Sequence, residues 1–381
     1  MKSKFLSLLS AVLVIVLGLT LCSVAPVAAE EAKTEIVFWH SMGGVNGEAI
    51  DALVKKYNEE NDKNIHVTTE FQGSYDDAIN KLKSASIGNM AADLVQVYDI
   101  GTRFMIDSGW VIPMQDLIDR YGYDVSQIEP NIAAYYTVDK KLYSMPFNSS
   151  TPILYYNKDI LDKAGIKDAP KSFAEIASMA KDLCEKGGAG EPISLSIYGW
   201  FFEQFLCKQG LEYVDNGNGR EGKASKVVFD ENGGALNILK AWKDLHDQGY
   251  APVVGRVDAG IADFVAGKSA FTIASTASLK EILENVDKRF EVGTAYLPSV
   301  TDKTDGGVSI GGASLWALNN KDEAKEKAVW DFISFMISPA SQAYWNAQTG
   351  YFPITVKAHE EDVFKDKIKK FPQFRTAIDQ L

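Results

Sequence analysis

Histidine and cysteine are scarce in this 381-residue chain, four and three residues respectively, and that scarcity removes whole classes of chemistry. His40, His66, His246 and His359 are scattered, with no pair at the spacing of a zinc-binding helix. Cys184 and Cys207 lack metal-ligand spacing, and both fall in helix-like sequence, which argues against a disulfide between them. No Gly-x-Ser-x-Gly run offers a nucleophile elbow, so a secreted hydrolase is the least favoured reading. No metal and no cofactor is expected. Positive charge is short too: 39 Lys and Arg face 51 Asp and Glu, for a formal net charge of −12, a poor match to nucleic acid or anionic lipid. Internal repeats and low-complexity linkers are missing, and beyond the N-terminus no apolar run is long enough to cross a bilayer.

The one long apolar run, about Leu6 to Leu21, follows Lys2 and Lys4 and precedes Val27-Ala28-Ala29, a small-residue cleavage pattern ahead of Glu30. That is the form of a secretory signal peptide over residues 1–29, so the mature chain is expected to be exported, to the periplasm or the outer face of the membrane. Leu21 before Cys22 does not fit a lipid-attachment box, and no lipid anchor is expected.

What remains alternates strands with helices. Glu35–His40 reads as a strand, Ser41–Gly44 as a turn, and Ile50, Leu53, Val54 and Tyr57 as one helix face. Ile65–Phe71 forms the next strand, and Ser74 with Asp77 forms a capping box that puts Tyr75 in the first turn of a helix. A third strand, Asp93–Val97, runs into Tyr98-Asp99. The alternation predicts an α/β fold with mainly parallel, doubly wound sheets, and it places Trp39, Tyr75 and Asp99 together at the strands' carboxyl rim. Val265–Ser269 imitates a phosphate-cradling loop, but the glycine spacing is wrong and a strand, Ala270–Ile273, follows it. At this length, with 46% apolar residues, two cores are expected.

The central stretch is Pro146 to Lys158, in which an aromatic, an amide and three hydroxyls run straight into the apolar strand Ile153–Tyr156. That string, with Phe38-Trp39-His40-Ser41-Met42, Gln96-Val97-Tyr98, Gly311–Trp316 and Thr349-Gly350-Tyr351-Phe352-Pro353, resembles the bacterial glycerol-3-phosphate-binding proteins. These are extracellular solute-binding proteins of ABC importers. The resemblance implies a periplasmic-binding-protein fold of two discontinuous α/β lobes joined by hinge strands, with the ligand held in the cleft. It implies binding residues Tyr75, Ser150, Ser275, Gly312 and Tyr351, and Asp99 where relatives carry Glu. It also implies a monomer that delivers its solute to membrane permease subunits. The first lobe is expected over 30–145 plus about 275–311, and the second over 146–274 plus about 312–381.

Backbone N–H groups near Ser275 and the hydroxyls of Tyr75, Ser150 and Tyr351 suit a phosphate. Asp99 suits the glycerol hydroxyls instead, because two anions repel in a closed cleft. Trp39, Phe173 and Trp200 are candidates to pack on the ligand's carbons, with core packing as the alternative. Phe173 replaces a Trp common in relatives and Asp99 is a methylene shorter than Glu, which points to a ligand larger than glycerol 3-phosphate, such as a glycerophosphodiester. Relatives continue beyond the position of Leu381 and carry a cleft Arg in a Pro-x-x-Arg segment; Pro372–Arg375 lies too close to the Tyr351 turn to be that segment, so a shortened C-terminus is expected. A receptor for neutral sugars is the alternative reading.

Overall fold

Alternation along single strands decides where the cores lie. In β1 (Thr34–His40), Phe38 points to one face of its sheet and Trp39 to the other, and both are buried, so helices must cover both faces. The computed structural model describes residues 33–85, 92–256, 258–302 and 306–381; the expected leader, residues 1–29, lies outside them. β2 (Ile65–Phe71), β3 (Leu94–Tyr98) and β4 (Val111–Ile112) follow, then a short hairpin of β5 (Thr137–Val138) with β6 (Lys141–Leu142), then β7 (Met145–Ser150). β8 (Pro152–Asn157), β9 (Glu191–Ile197), β10 (Val253–Arg256), β11 (Ser269–Ser275) and β12 (Val292–Tyr296) build a second sheet, and β13 (Gly311–Leu318) returns to the first.

The first sheet is ordered β2-β1-β3-β13-β4 with β7 also on β13, and the second β10-β9-β11-β8-β12. β1 pairs in parallel with β2 and β3, but β13 runs antiparallel to β3, β4 and β7, so this sheet is mixed rather than mainly parallel. The second is mixed too, since β8 runs antiparallel to β11 and β12. In β8, Leu154 enters one core with Phe173, Phe205 and Phe271, while Ile153 and Tyr155 enter another with Phe264 and Leu279. Two lobes, each a sheet between helical layers, result.

The helices start where their caps dictate. Ser74 and Asp77 exchange bonds as the capping box requires, Asp77 N–H donating to Ser74 Oγ at 3.2 Å and Ser74 N–H to Asp77 Oδ2 at 3.0 Å, and Tyr75–Ala85 begins there. Ser172 Oγ accepts from Glu175 N–H at 3.1 Å and opens Phe173–Glu185.

The expected return segments are exchanged. β12 pairs with β8 in the second sheet, and β13 with β3 and β7 in the first, so 279–296 belongs to the second lobe and 311–352 to the first. An apolar alternation identifies a strand without naming its sheet, because pairing partners are chosen by contacts remote in sequence. The chain crosses at Thr151 and again between Tyr296 and Gly311, and the final helix, Thr376–Gln380, touches both lobes: Ala377 packs in the first core, while Gln380 bonds Thr151, Pro152 and Leu297 at 3.1, 2.8 and 2.7 Å.

Candidate functional site

The first-lobe wall is built on Asn148, buried in the middle of β7. Its Oδ1 accepts from Gln96 Nε2 at 2.8 Å, and Gln96 Oε1 accepts from Ser41 N–H at 2.9 Å, so the amide's orientation is fixed from behind. Its Nδ2 then donates to the Tyr75 hydroxyl at 3.1 Å. Tyr75 stacks on Tyr98, centroids 5.3 Å apart, and Tyr351 stacks on Trp345 at 5.5 Å. The Tyr351 hydroxyl meets the same amide and the Tyr75 hydroxyl. Burial pushes both phenols upward, so both stay neutral. Gly350 enables the turn into Tyr351: its φ is +102°, and a Cβ there would lie 2.5 Å from the Thr276 carbonyl oxygen.

Asp99 follows directly on β3 and accepts from the Tyr135 hydroxyl at 3.4 Å. Its carboxyl is pushed up to about 7, first by burial and then by the charge of Glu203. Glu203 stands on the second-lobe helix Gly199–Lys208, and burial raises its pKa as well. Tyr198, just before that helix, is pushed to about 12 by burial and then by Asp99 and Glu203. Asp99 on the first lobe is therefore near enough to Glu203 and Tyr198 on the second for their charges to couple.

The crossing strands carry the rest. Ser150 ends β7 opposite Gly311, and Gly312 lies opposite Ser149 with φ +97°; a Cβ on Gly312 would be 1.9 Å from the Asn148 carbonyl oxygen. Ser275 ends β11 opposite Pro152, its Oγ accepting from Ala277 N–H at 3.1 Å and its carbonyl from the Tyr155 hydroxyl at 2.7 Å. Thr276 and Thr151 lock the joint, Thr276 N–H donating to the Thr151 carbonyl at 3.0 Å and Thr151 N–H to Thr276 Oγ1 at 3.3 Å. Tyr75, Asp99 and Tyr351 thus share the first-lobe wall, Ser150 and Gly312 lie at the crossing, and Ser275 lies across it.

The profile of the bacterial extracellular solute-binding proteins matches residues 52–374. The chain belongs to this family. Its members hold small solutes for ABC transporters, and they are binding proteins rather than enzymes. The sn-glycerol-3-phosphate-binding periplasmic protein UgpB of Escherichia coli O1:K1 is 34% identical over 345 residues, 88% of this chain and 78% of the relative, and its K12 counterpart is 33% identical over 360 residues, 92% and 81%. Among solved structures, UgpB of Mycobacterium tuberculosis in complex with glycerophosphocholine superposes with a TM-score of 0.78 at 26% identity, covering 92% of this chain and 86% of that one. The GacH receptor of Streptomyces glaucescens, solved unliganded and with acarbose, gives 0.75 at 23% identity, covering 92% and 87%, a likeness of fold. No described helix is long and apolar enough to cross a membrane.

Two aromatic candidates for this family's cleft are core residues instead. Trp39 is buried with Ile79, Leu82 and Val97 on the sheet face away from Phe38, and Phe173 is 2% exposed, edge-on to Phe205 at 5.3 Å. Trp39 stands on a strand buried on both faces and Phe173 on the inward face of an amphipathic helix, and in both the core-packing reading holds. Trp200 does reach the crossing, its ring lying where a Cβ on Gly311 would come within 2.6 Å. Cys184 and Cys207 are both free thiols, and Arg375 is spent on Asp379 at 3.1 Å. Asn148 also matches a glycosylation acceptor, which its complete burial rules out. Sequence reasoning missed Asn148, Tyr135, Tyr198 and Glu203 as site residues. A signal existed for Glu203, a lone carboxylate inside the aromatic run Trp200-Phe201-Phe202 and Phe205.

Proposed function

We propose that this protein captures sn-glycerol 3-phosphate or a glycerophosphodiester between its lobes and hands it to a membrane permease when they close. The observation that carries this reading is the neutral Tyr75–Asn148–Tyr351 group beside the Asp99 carboxyl, which itself feels the charge of Glu203 from the second lobe, with Ser150, Gly312 and Ser275 at the crossing between the lobes. Hydroxyl and backbone N–H donors suit phosphate oxygens, and the carboxyls suit the hydroxyls at the glycerol end. Tyr75, Asp99, Ser150, Ser275, Gly312 and Tyr351 are the residues proposed to touch the ligand. The glycerol-3-phosphate-binding relatives and the glycerophosphocholine-bound neighbour support the same solute class.

Isothermal calorimetry on residues 30–381 tests it. Saturable heat at one site per chain is expected with glycerol 3-phosphate or glycerophosphocholine. Binding of maltose with no response to either phosphate ester would reject the solute class and favour the second reading, a neutral sugar, to whose hydroxyls two carboxyls would be natural acceptors.

A further inference from the structure

Arg220 belongs to the second lobe but bonds the first. Its segment is closed on itself by a bridge between Val214 and Val227 and is held on the second lobe by Phe229, which packs on Phe202 at 5.2 Å and on Tyr213 at 4.8 Å. Within the segment Asn218 Oδ1 accepts from the Tyr213 and Val214 N–H groups at 2.8 and 3.1 Å, and Asp215 takes both the N–H and the hydroxyl of Ser225. The guanidinium is therefore presented by a braced loop. One of its nitrogens donates to the Tyr135 carbonyl at 2.6 Å and the other to the Thr137 carbonyl at 3.1 Å, while its carbon lies 5.2 Å from the centre of the Tyr135 ring. Both acceptors belong to the first lobe, at the junction of the helix Pro130–Tyr136 with β5.

We propose that Arg220 is a latch between the lobes: its fork spans two first-lobe carbonyls beside the cleft, holds the lobes together, and so sets how long a solute stays. The latch requires the two-lobed solute-binding reading but no particular solute, since every group in it comes from this chain. The planar fork matters, because two carbonyls two residues apart at the end of the helix match two N–H donors of fixed divergence, which an ammonium does not reproduce. Its ring contact adds a consequence. Tyr135 is the residue whose hydroxyl donates to Asp99, so the latch also steadies a side chain in the candidate site without touching the ligand. Arg220 is a positioning residue in this sense. An equilibrium that favours the closed form raises apparent affinity in proportion to the closed fraction, and the effect falls on the dissociation rate.

Wild type, Arg220→Ala and Arg220→Lys, all over residues 30–381, decide it. Small-angle X-ray scattering of the free proteins is expected to give a larger radius of gyration for Arg220→Ala, with the far-ultraviolet circular dichroism unchanged because the side chain is exposed and fills no core. Stopped-flow release of glycerophosphocholine is expected to be about fivefold faster in Arg220→Ala, with Arg220→Lys between the two. Superimposable scattering curves for wild type and Arg220→Ala overturn the latch, and Arg220→Lys indistinguishable from wild type overturns the fork. Should neither phosphate ester nor maltose bind wild type, the functional proposal falls while the scattering comparison still judges the latch.

Discussion

Asp99 shows what the fold does to a single side chain. Its carboxyl has an ordinary value of 3.8 and, once buried opposite Glu203, titrates near 7. Between those values the folded protein holds a proton that the unfolded chain has released, so stability is lost as pH rises through this window and does not return above it. The cost amounts to up to about 4 kcal/mol at pH 8, of which Asp99→Asn removes most, since an amide keeps an acceptor for Tyr135 and carries no charge. Asp99→Asn is thus expected to melt above wild type at pH 8, with the gap shrinking steadily toward pH 5. Thermal melts across that range check it, and a gap independent of pH contradicts it. Glu203, also raised by burial, adds to the wild-type slope in the same direction. That Asp99 stands at a strand's end is legible in the sequence; that a second carboxyl faces it from more than a hundred residues away is not, because nothing local links Tyr98-Asp99 to the helix Gly199–Lys208.

Elements tell a similar story. The capping box at Ser74 stands where the sequence predicts it, and the cap at Ser172 is local chemistry of the same kind. The strand after Val265–Ser269 is likewise predicted, and β11 is that strand. Pairing is another matter. β13 packs against β7 so closely at Gly312 that a methyl group would overlap the Asn148 carbonyl, and the backbone there has a positive φ that L residues rarely adopt. Gly312→Ala is therefore expected to cost at least about 3 kcal/mol, by strain and by displacing the strand that carries Asn148. Urea unfolding reads this directly, and a variant as stable as wild type would show that the crossing is loose. Two strings that look like separate motifs, Asn148-Ser149-Ser150 and Gly311-Gly312, prove to be facing halves of one joint.

At the scale of the whole molecule the two lobes are stitched rather than merely tethered. Thr151 and Thr276 exchange backbone contacts, Gln204 bonds the Ser309 N–H and carbonyl at 2.9 and 3.1 Å, and Gln380 ties the last helix to the crossing strand. Residues 34–381 form one compact unit. Unfolding is expected to be a single cooperative transition, with calorimetric and van't Hoff enthalpies equal and tryptophan fluorescence coincident with circular dichroism. Two resolved transitions would mean that the lobes melt separately. The amino-acid sequence alone settled the class of fold, the expectation of two cores and the local starts of helices, because periodicity, caps and glycine turns act within a few residues. Through its strings it also indicated the family. Which strand joins which lobe, the burial of Trp39 and Phe173 away from the cleft, and the meeting of Asp99 with Glu203 and of Arg220 with Tyr135 were decided only by tertiary structure, since each depends on groups far apart in the chain finding the same space.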